Sequence, residues 1–235
     1  MPTAIITGAS QGIGKGTAEF FLTQDWNVIN ISRTKSDLTH SNLKNFSLNL
    51  GDKNWQDPFK LSMTNQFCQN EQICLIHNAA CYKKDSIQNL SAQELRDVLE
   101  VNLVAPAILN TLLIPKMSKG SSILYIGSTL SEKAVQNAAS YVISKHALLG
   151  MMRSTAQDLA GKNIHTLCIC PGFTDTKMLK QHLQSDQSNL DIILSKICFH
   201  KLIKPEEIAK LTFYCALNPL LNGATIHANY GQIEH

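Results

Sequence analysis

The chain has 235 residues and a mass of 26.0 kDa, with 44% hydrophobic and 17% charged residues, a globular composition rich enough in apolar side chains to fill a sizeable core. The formal charge of +3, a pI near 8.4 and the lack of any run of like charges argue against a nucleic-acid partner, whose binders concentrate basic residues on one face. The opening residues Met1–Gly8 lack the basic segment and long apolar core of a signal peptide, and no stretch reads as the ~20 apolar residues of a membrane helix, so a cytoplasmic protein without a membrane partner is expected.

Short β-rich apolar runs alternate with longer helical stretches along the whole chain. Ala4–Thr7 reads as a first strand, followed by glycine-rich sequence and a helix through Thr17–Leu22. Asn27–Ile31 and Phe46–Asn49 are the second and third strands. A helical stretch, Trp55–Gln69, leads to a fourth strand, Ile73–His77. Ser91, with Glu94 three residues on, has the pattern of a capping box and opens a long helix toward Leu113, with a kink or break expected at Pro106. Ser122–Ile126 is the fifth strand, a helix spans Ala138–Ala160, and Ile164–Ile169 is the sixth strand, ended by Pro171-Gly172. Pro205 begins a helix through Leu217, and Ala224–Ala228 is the last strand. This alternation predicts an α/β single domain, a three-layer doubly wound parallel sheet over residues 1–235. Phe173–Lys204 shows no clear pattern, as lids and binding loops often do not.

Seven cysteines show no Cys-x-x-Cys spacing, and the eight histidines form no His-x-x-x-His, so buried reduced thiols and no metal site are expected. Cys168 and Cys170 lie two apart on a strand and share one face.

Chemistry is carried by the strand ends. Gly8, Ser10, Gln11, Gly12, Ile13 and Gly14 lie between the first strand and first helix with Gly-x-x-x-Gly-x-Gly spacing. Glycines let the backbone approach a pyrophosphate, and the helix N-terminus offers free N–H groups and the positive end of its dipole. A third glycine of the G-x-G-x-x-G pattern is missing, since Thr17 stands there. Tyr141 and Lys145, four apart on a predicted helix, share one face. A phenol titrates near 10, and working at neutral pH takes about 4 kcal/mol of stabilisation of the ionised form, to which an adjacent ammonium contributes. Ser128 lies just past the fifth strand. Asn78, Ala79 and Ala80 end the fourth. Asn102 is a polar residue in an apolar helix segment, where a solvent-facing or kink-forming asparagine is the plainer reading.

Taken together, these motifs resemble the short-chain dehydrogenase/reductase family over nearly the whole chain. Thr7–Gly14 matches its T-G-x-x-x-G-x-G loop, and Asn78-Ala79-Ala80 resembles its N-A-G turn with alanine in place of glycine. Ser128, Tyr141 and Lys145 match its catalytic triad at the family's thirteen-residue serine–tyrosine separation, and Asn102 matches the asparagine of its tetrad. Pro171-Gly172 with Thr174 and Thr176 matches the segment that closes over the nicotinamide. The resemblance implies a Rossmann fold, hydride transfer between a nicotinamide cofactor and a small carbonyl or alcohol, Tyr141 as acid/base, Ser128 on the reacting oxygen, Lys145 beside both the phenol and the ribose, and Asn102 supporting a water relay to Lys145. Asn49 and Leu50 stand where the family contacts adenine, with Asn49 in place of aspartate. Asn229-Tyr230-Gly231 replaces a usual Asp-Gly-Gly. A homo-oligomer, dimer or tetramer, through the two long central helices is also implied.

The second strand ends at Ser32-Arg33-Thr34, without the carboxylate that would accept from adenosine ribose hydroxyls. Arg33 suits a 2′-phosphate, so NADP(H) is preferred and NAD(H) possible. Two alternatives stand beside this reading: a 3-oxoacyl-(acyl carrier protein) reductase, suggested by the basic excess of Lys177, Lys180, Lys196, Lys201 and Lys204 over Asp175, Asp186 and Asp191, and a non-catalytic NADP(H) sensor.

Overall fold

The computed structural model describes residues 1–64, 71–183 and 187–232. Strands β1 (Thr3–Thr7), β2 (Asn27–Ser32), β3 (Leu43–Ser47), β4 (Ile73–His77), β5 (Ser122–Ile126), β6 (His165–Pro171) and β7 (Thr225–Ala228) form one sheet in the order β3-β2-β1-β4-β5-β6-β7. Every pairing is parallel. β1, β4, β5 and β6 are buried throughout, as strands covered on both faces must be.

Helices α1 (Gly12–Thr23), α2 (Gln56–Thr64), α3 (Ala92–Leu99), α4 (Ala105–Leu113), α5 (Ala139–Asp158), α6 (Lys177–Leu183), α7 (Gln187–Ser195) and α8 (Pro205–Ala216) connect the strands, with short 3-10 and π-helical segments among them. One core gathers Ile5, Ile31, Leu75, Tyr125, Leu109 and Leu148 under α4 and α5; the other gathers Ile6, Val28, Ile76, Leu124, Phe21 and Cys215 under α1 and α8. The α1 and α8 layer closes tightly because Gly16 has no side chain: a Cβ there would meet Pro205 at 3.2 Å. Phe21, Trp26 and Phe213 interlock edge to face beside it.

Strand–helix alternation thus gives the single-domain, three-layer Rossmann arrangement its pattern predicts. Four details differ. The first helix starts at Gly12 rather than Thr17, within the glycine loop itself. The third strand is Leu43–Ser47, so Asn49 lies beyond its end. The remainder of the Trp55–Gln69 stretch, with Cys68, lies partly outside the described residues. The segment Phe173–Lys204 is not irregular: α6 and α7 fold on a small core of Leu183, Ile193 and Ile197, although residues 184–186 are outside the described set.

The long helix after Ser91 is interrupted, but not by Pro106. The break is a π-helical segment, Glu100–Val104, and Pro106 follows at the start of α4, where its missing N–H costs little. Ser91 caps α3 by accepting from the Glu94 N–H at 3.4 Å. Contrary to the sequence expectation, the continuous stretch Ala92–Lys116 is long and apolar enough to cross a membrane by length and composition, with mean hydropathy 1.7 over its most apolar 18 residues. Its inner face, Val98, Asn102, Ala105, Leu109 and Leu113, is buried in the fold, as a core helix requires.

Candidate active site

Doubly wound sheets bind ligands where the strand order reverses, at the carboxyl ends of the strands. Here that point is between β1 and β4. Asn78 joins the two: its Nδ2 donates to Thr7 O at 2.9 Å and to Gly8 O at 3.2 Å. The Thr7 hydroxyl accepts from the Asn78 and Ala79 N–H groups, both at 2.9 Å. Gly8 and Gly12 have φ of +71° and +57°, which favours glycine. Gly14 is required for space, since a Cβ there would lie 2.4 Å from both Asn78 Nδ2 and Gly8 O. A Cβ at Gly12 would meet Thr176 Cγ2 at 3.2 Å, so the segment after β6 lies against the glycine loop.

Two residues that fix the glycine loop go unread in the sequence pattern. Asn30, fully buried in β2, accepts the Ala9 N–H at 3.0 Å and donates to Asn45 Oδ1 at 2.8 Å. Asn45 Oδ1 also accepts the Ser36 N–H at 3.1 Å. This chain of amides fixes the glycine loop to the segment after β2. There, Ser32 donates to Thr34 O at 2.6 Å, and Arg33 and Thr34 are exposed. Asp37 pairs with Lys15 at 2.6 Å, which holds its carboxyl below the usual range.

Lys145 and Tyr141 occupy adjacent turns of α5 as their spacing requires. The Lys145 side chain, only 2% exposed, donates to Ile126 O at 2.7 Å, and its Nζ lies 5.4 Å from the Tyr141 ring centroid. Ser128, just beyond β5, caps a short 3-10 turn: its Oγ accepts from the Leu130 N–H at 3.1 Å, and its own N–H donates to Ser131 Oγ at 3.2 Å. The preceding Gly127 has no room for a side chain, because a Cβ would lie 2.7 Å from Cys168 Sγ. Cys168 and Cys170 do share a face, with sulfurs 3.8 Å apart; the contact with the Cys170 sulfur, together with burial, pushes the Cys168 thiol up, and the same contact pulls Cys170 down to about 6.

Asn102 is neither solvent-facing nor free. It is buried in the π-helical segment, its Oδ1 accepts the Cys81 N–H at 2.6 Å, and its Nδ2 donates to Cys81 O and to Ser144 Oγ, both at 2.9 Å. Its side chain therefore braces the Cys81 backbone and the Ser144 hydroxyl. Pro171 is buried, Gly172 packs against Asn229, and the Thr174 hydroxyl donates to Gly172 O at 3.0 Å. Thr176 accepts the Leu179 N–H at 3.3 Å and caps α6.

Asn49 and Leu50, expected at the adenine, follow β3. The exposed Asn49 amide accepts from the Gly51 N–H at 3.2 Å and donates to Asp52 at 2.8 Å. Leu50 is in the core with Trp55 and Phe59. Gln11, at the helix N-cap, makes no capping bond with its side chain and is exposed; Ser10 and Ile13 are half-buried on the loop.

The comparisons with known proteins agree with this geometry. The family model described as short chain dehydrogenase matches residues 2–187. A 3-oxoacyl-(acyl-carrier-protein) reductase of Buchnera aphidicola subsp. Baizongia pistaciae is 30% identical over 238 residues, covering 97% of this chain and 96% of that protein. The enzyme of the same name from Vibrio cholerae is 26% identical over the same shares. A short chain dehydrogenase family protein from Francisella tularensis superposes with a TM-score of 0.89 at 27% identity, covering 98% of each chain. Thermoplasma acidophilum aldohexose dehydrogenase shares the fold, with a TM-score of 0.89 at 23% identity over 98% of this chain and 93% of that one. Nothing in these comparisons supports a non-catalytic sensor. The chain belongs to the short chain dehydrogenase family and is an oxidoreductase enzyme.

Proposed function

We propose that this enzyme interconverts a small carbonyl and its alcohol with NADP(H), using Tyr141 as proton donor and acceptor. The observation that carries the reading is the Lys145 ammonium, buried and held 5.4 Å from the Tyr141 ring at the carboxyl ends of the strands. A buried charge is expensive unless it is paired or hydrogen-bonded; here one carbonyl holds it, and the phenol is the group it serves.

The residues fit a dinucleotide. Gly8, Gly12 and Gly14 leave backbone bare where side chains would fill the cradle. The α1 N-terminus favours phosphate. Gly8–Gly14, Asn78–Ala80, Pro171-Gly172, Thr174 and Thr176 would hold the cofactor, with Ser32, Arg33 and Thr34 at its adenosine end and Lys145 at the nicotinamide ribose. When bound, the nicotinamide supplies or accepts the hydride. Tyr141 gives its proton to the carbonyl oxygen as charge develops there. Ser128 Oγ hydrogen-bonds the same oxygen, and Lys145 sets a positive charge beside the phenol as it loses its proton. Asn102 holds the Cys81 backbone and, through Ser144, the α5 turn that carries Tyr141.

NADP(H) is favoured over NAD(H) because no carboxylate ends β2, Arg33 is exposed there, and Asp37 is already paired with Lys15. A 3-oxoacyl thioester on an acyl carrier is a second reading of the substrate, favoured by relatives of that name along nearly all of the chain. The segment 173–204 serves as the substrate lid. We infer a cytoplasmic homo-oligomer, dimer or tetramer, without nucleic-acid or membrane partners. An open groove of about 350 Å³, lined by Ala107, Thr111, Ile114 and Met151, lies between the two helices through which such an assembly would form.

Cofactor oxidation over a panel of ketones, aldehydes and 3-oxoacyl thioesters tests the function. Turnover of at least one with NADPH is expected. Tighter binding of NADH than NADPH overturns the cofactor assignment, and no turnover of any carbonyl overturns the reaction.

A further inference from the structure

Asp85 is a buried carboxylate, 6% exposed, in the segment that follows Asn78-Ala79-Ala80. The chemistry above does not use it. Its partner is the start of α5. A helix leaves its first N–H groups without internal acceptors, and they are normally met by a polar side chain at the cap. α5 has Ala138 at that position, which can offer no side-chain acceptor.

Asp85 supplies what Ala138 cannot. Its main-chain carbonyl accepts from the Ala139 N–H at 3.2 Å, and its Oδ1 accepts from the Ser140 N–H at 3.0 Å. Its Oδ2 accepts from the Ser140 hydroxyl. Ser140 is itself fully buried. A carboxylate at the positive end of a helix, accepting from its free donors, makes charge-assisted bonds and complements the dipole.

The next residue is Tyr141. Its own carbonyl is held from the other side, accepting from Ser144 Oγ at 2.7 Å; Ser144 Oγ in turn accepts from Asn102 Nδ2 at 2.9 Å. Asn102 also grips Cys81, four residues before Asp85. Between the two, the Tyr82 ring stands edge-on to the Tyr141 ring at 5.4 Å, and its hydroxyl donates to Asn137 O at 3.3 Å. The segment 81–85 is thus fastened at one end to the π-helical segment and at the other to the first turn of α5. Tyr141 lies between these fastenings.

We propose that Asp85 is a positioning residue for Tyr141: the Asp85–Ser140 latch fixes the α5 N-terminus and with it the distance of the phenol from the reacting oxygen. This rests on Tyr141 being the acid/base. A simple structural cap would lower the melting temperature and leave turnover per folded molecule unchanged. A latch that sets reacting geometry acts on kcat, because displacement of about 1 Å costs on the order of 100-fold.

The test uses the full chain, NADPH and the best substrate from the carbonyl panel. Turnover is corrected for the folded fraction by circular dichroism. Asp85→Ala is expected to lower kcat about 10- to 100-fold while the NADPH dissociation constant stays within about twofold. Asp85→Asn keeps an acceptor for the Ser140 N–H, and the serine hydroxyl can turn to accept from the new amide, so this variant should recover most of the lost kcat. If Asp85→Ala does not fold, Ser140→Ala carries the test, with kcat reduced and NADPH affinity kept. Wild-type kcat per folded molecule in Asp85→Ala, or in Ser140→Ala where only that variant folds, overturns the proposal, as does an Asp85→Asn no better than alanine or an equal loss of cofactor affinity. Tyr141→Phe, run alongside, separates the two levels: an active Tyr141→Phe refutes the site itself, whereas an inactive one beside an unimpaired Asp85→Ala refutes only the latch.

Discussion

Gly14→Ala is the sharpest perturbation of the cofactor cradle. The new methyl would sit 2.4 Å from Gly8 O and 2.4 Å from Asn78 Nδ2, well inside contact distance, and the carbonyl is backbone that cannot swing aside. Asn78 must move, which strains or breaks its bonds to Thr7 O at 2.9 Å and Gly8 O at 3.2 Å. Each is worth about 0.5–1.5 kcal/mol net, and overpacking a tight site adds about 1–3 kcal/mol. The total of about 2–6 kcal/mol divides between stability and loop geometry. Urea unfolding should show the first part. NADPH titration should show the second as at least about tenfold weaker binding, since about 1.4 kcal/mol is a factor of ten. Unfolding free energy within about 0.5 kcal/mol of wild type, with unchanged NADPH affinity, would refute the claim that the turn is built around the absence of a side chain.

Two further changes probe separate parts of the account. His77 is buried with Nε2 2.8 Å from Asn110 Oδ1 and no hydrogen-bond partner at Nδ1 among the described residues, and burial pushes it down to about 4. The unfolded chain therefore takes up a proton near 6.5 that the folded chain refuses, so stability is full above that pH and falls as pH drops toward 4, by about 3 kcal/mol. His77→Gln should flatten this part of the urea-derived stability curve, and wild-type and variant curves that run parallel from pH 7 to 4 would refute the assignment. Arg33→Ala should weaken NADPH binding by about 1.5–3 kcal/mol, the range for a bond to a charged group, and leave NADH almost unchanged; an equal loss for both cofactors would remove the 2′-phosphate from its role.

The groups that do chemistry are legible in the sequence because each belongs to a local pattern. The glycines stand between a strand and a helix, Tyr141 and Lys145 are one turn apart, and Ser128 and Asn78 end apolar strands. The groups that hold these in place are not legible, since their partners are distant in the chain. Asn30 meets Asn45 only through the parallel register of β2 and β3, which places the two opposite each other. Asp85 and Ser140 are 55 residues apart. Asn102 looks like a surface asparagine or a kink until the π-helical segment turns it inward onto Cys81 and Ser144. The helices within 173–204 are hidden for a different reason. They are short, and their apolar residues face a small local core with Phe173, Leu202 and Tyr230 rather than the sheet. Leu50 is named from the family's motif alone, and only the fold shows that its side chain packs in the core with Trp55 and Phe59.

The central claim is that Tyr141 transfers the proton, and one variant tests it directly. Tyr141→Phe keeps the ring beside Tyr82 and Lys145 and removes only the hydroxyl. Because the lost group acts in the transition state, kcat with NADPH and the best carbonyl substrate should fall by about 100-fold or more, while NADPH affinity stays close to wild type. A Tyr141→Phe enzyme that turns over at near wild-type rate would contradict the mechanism.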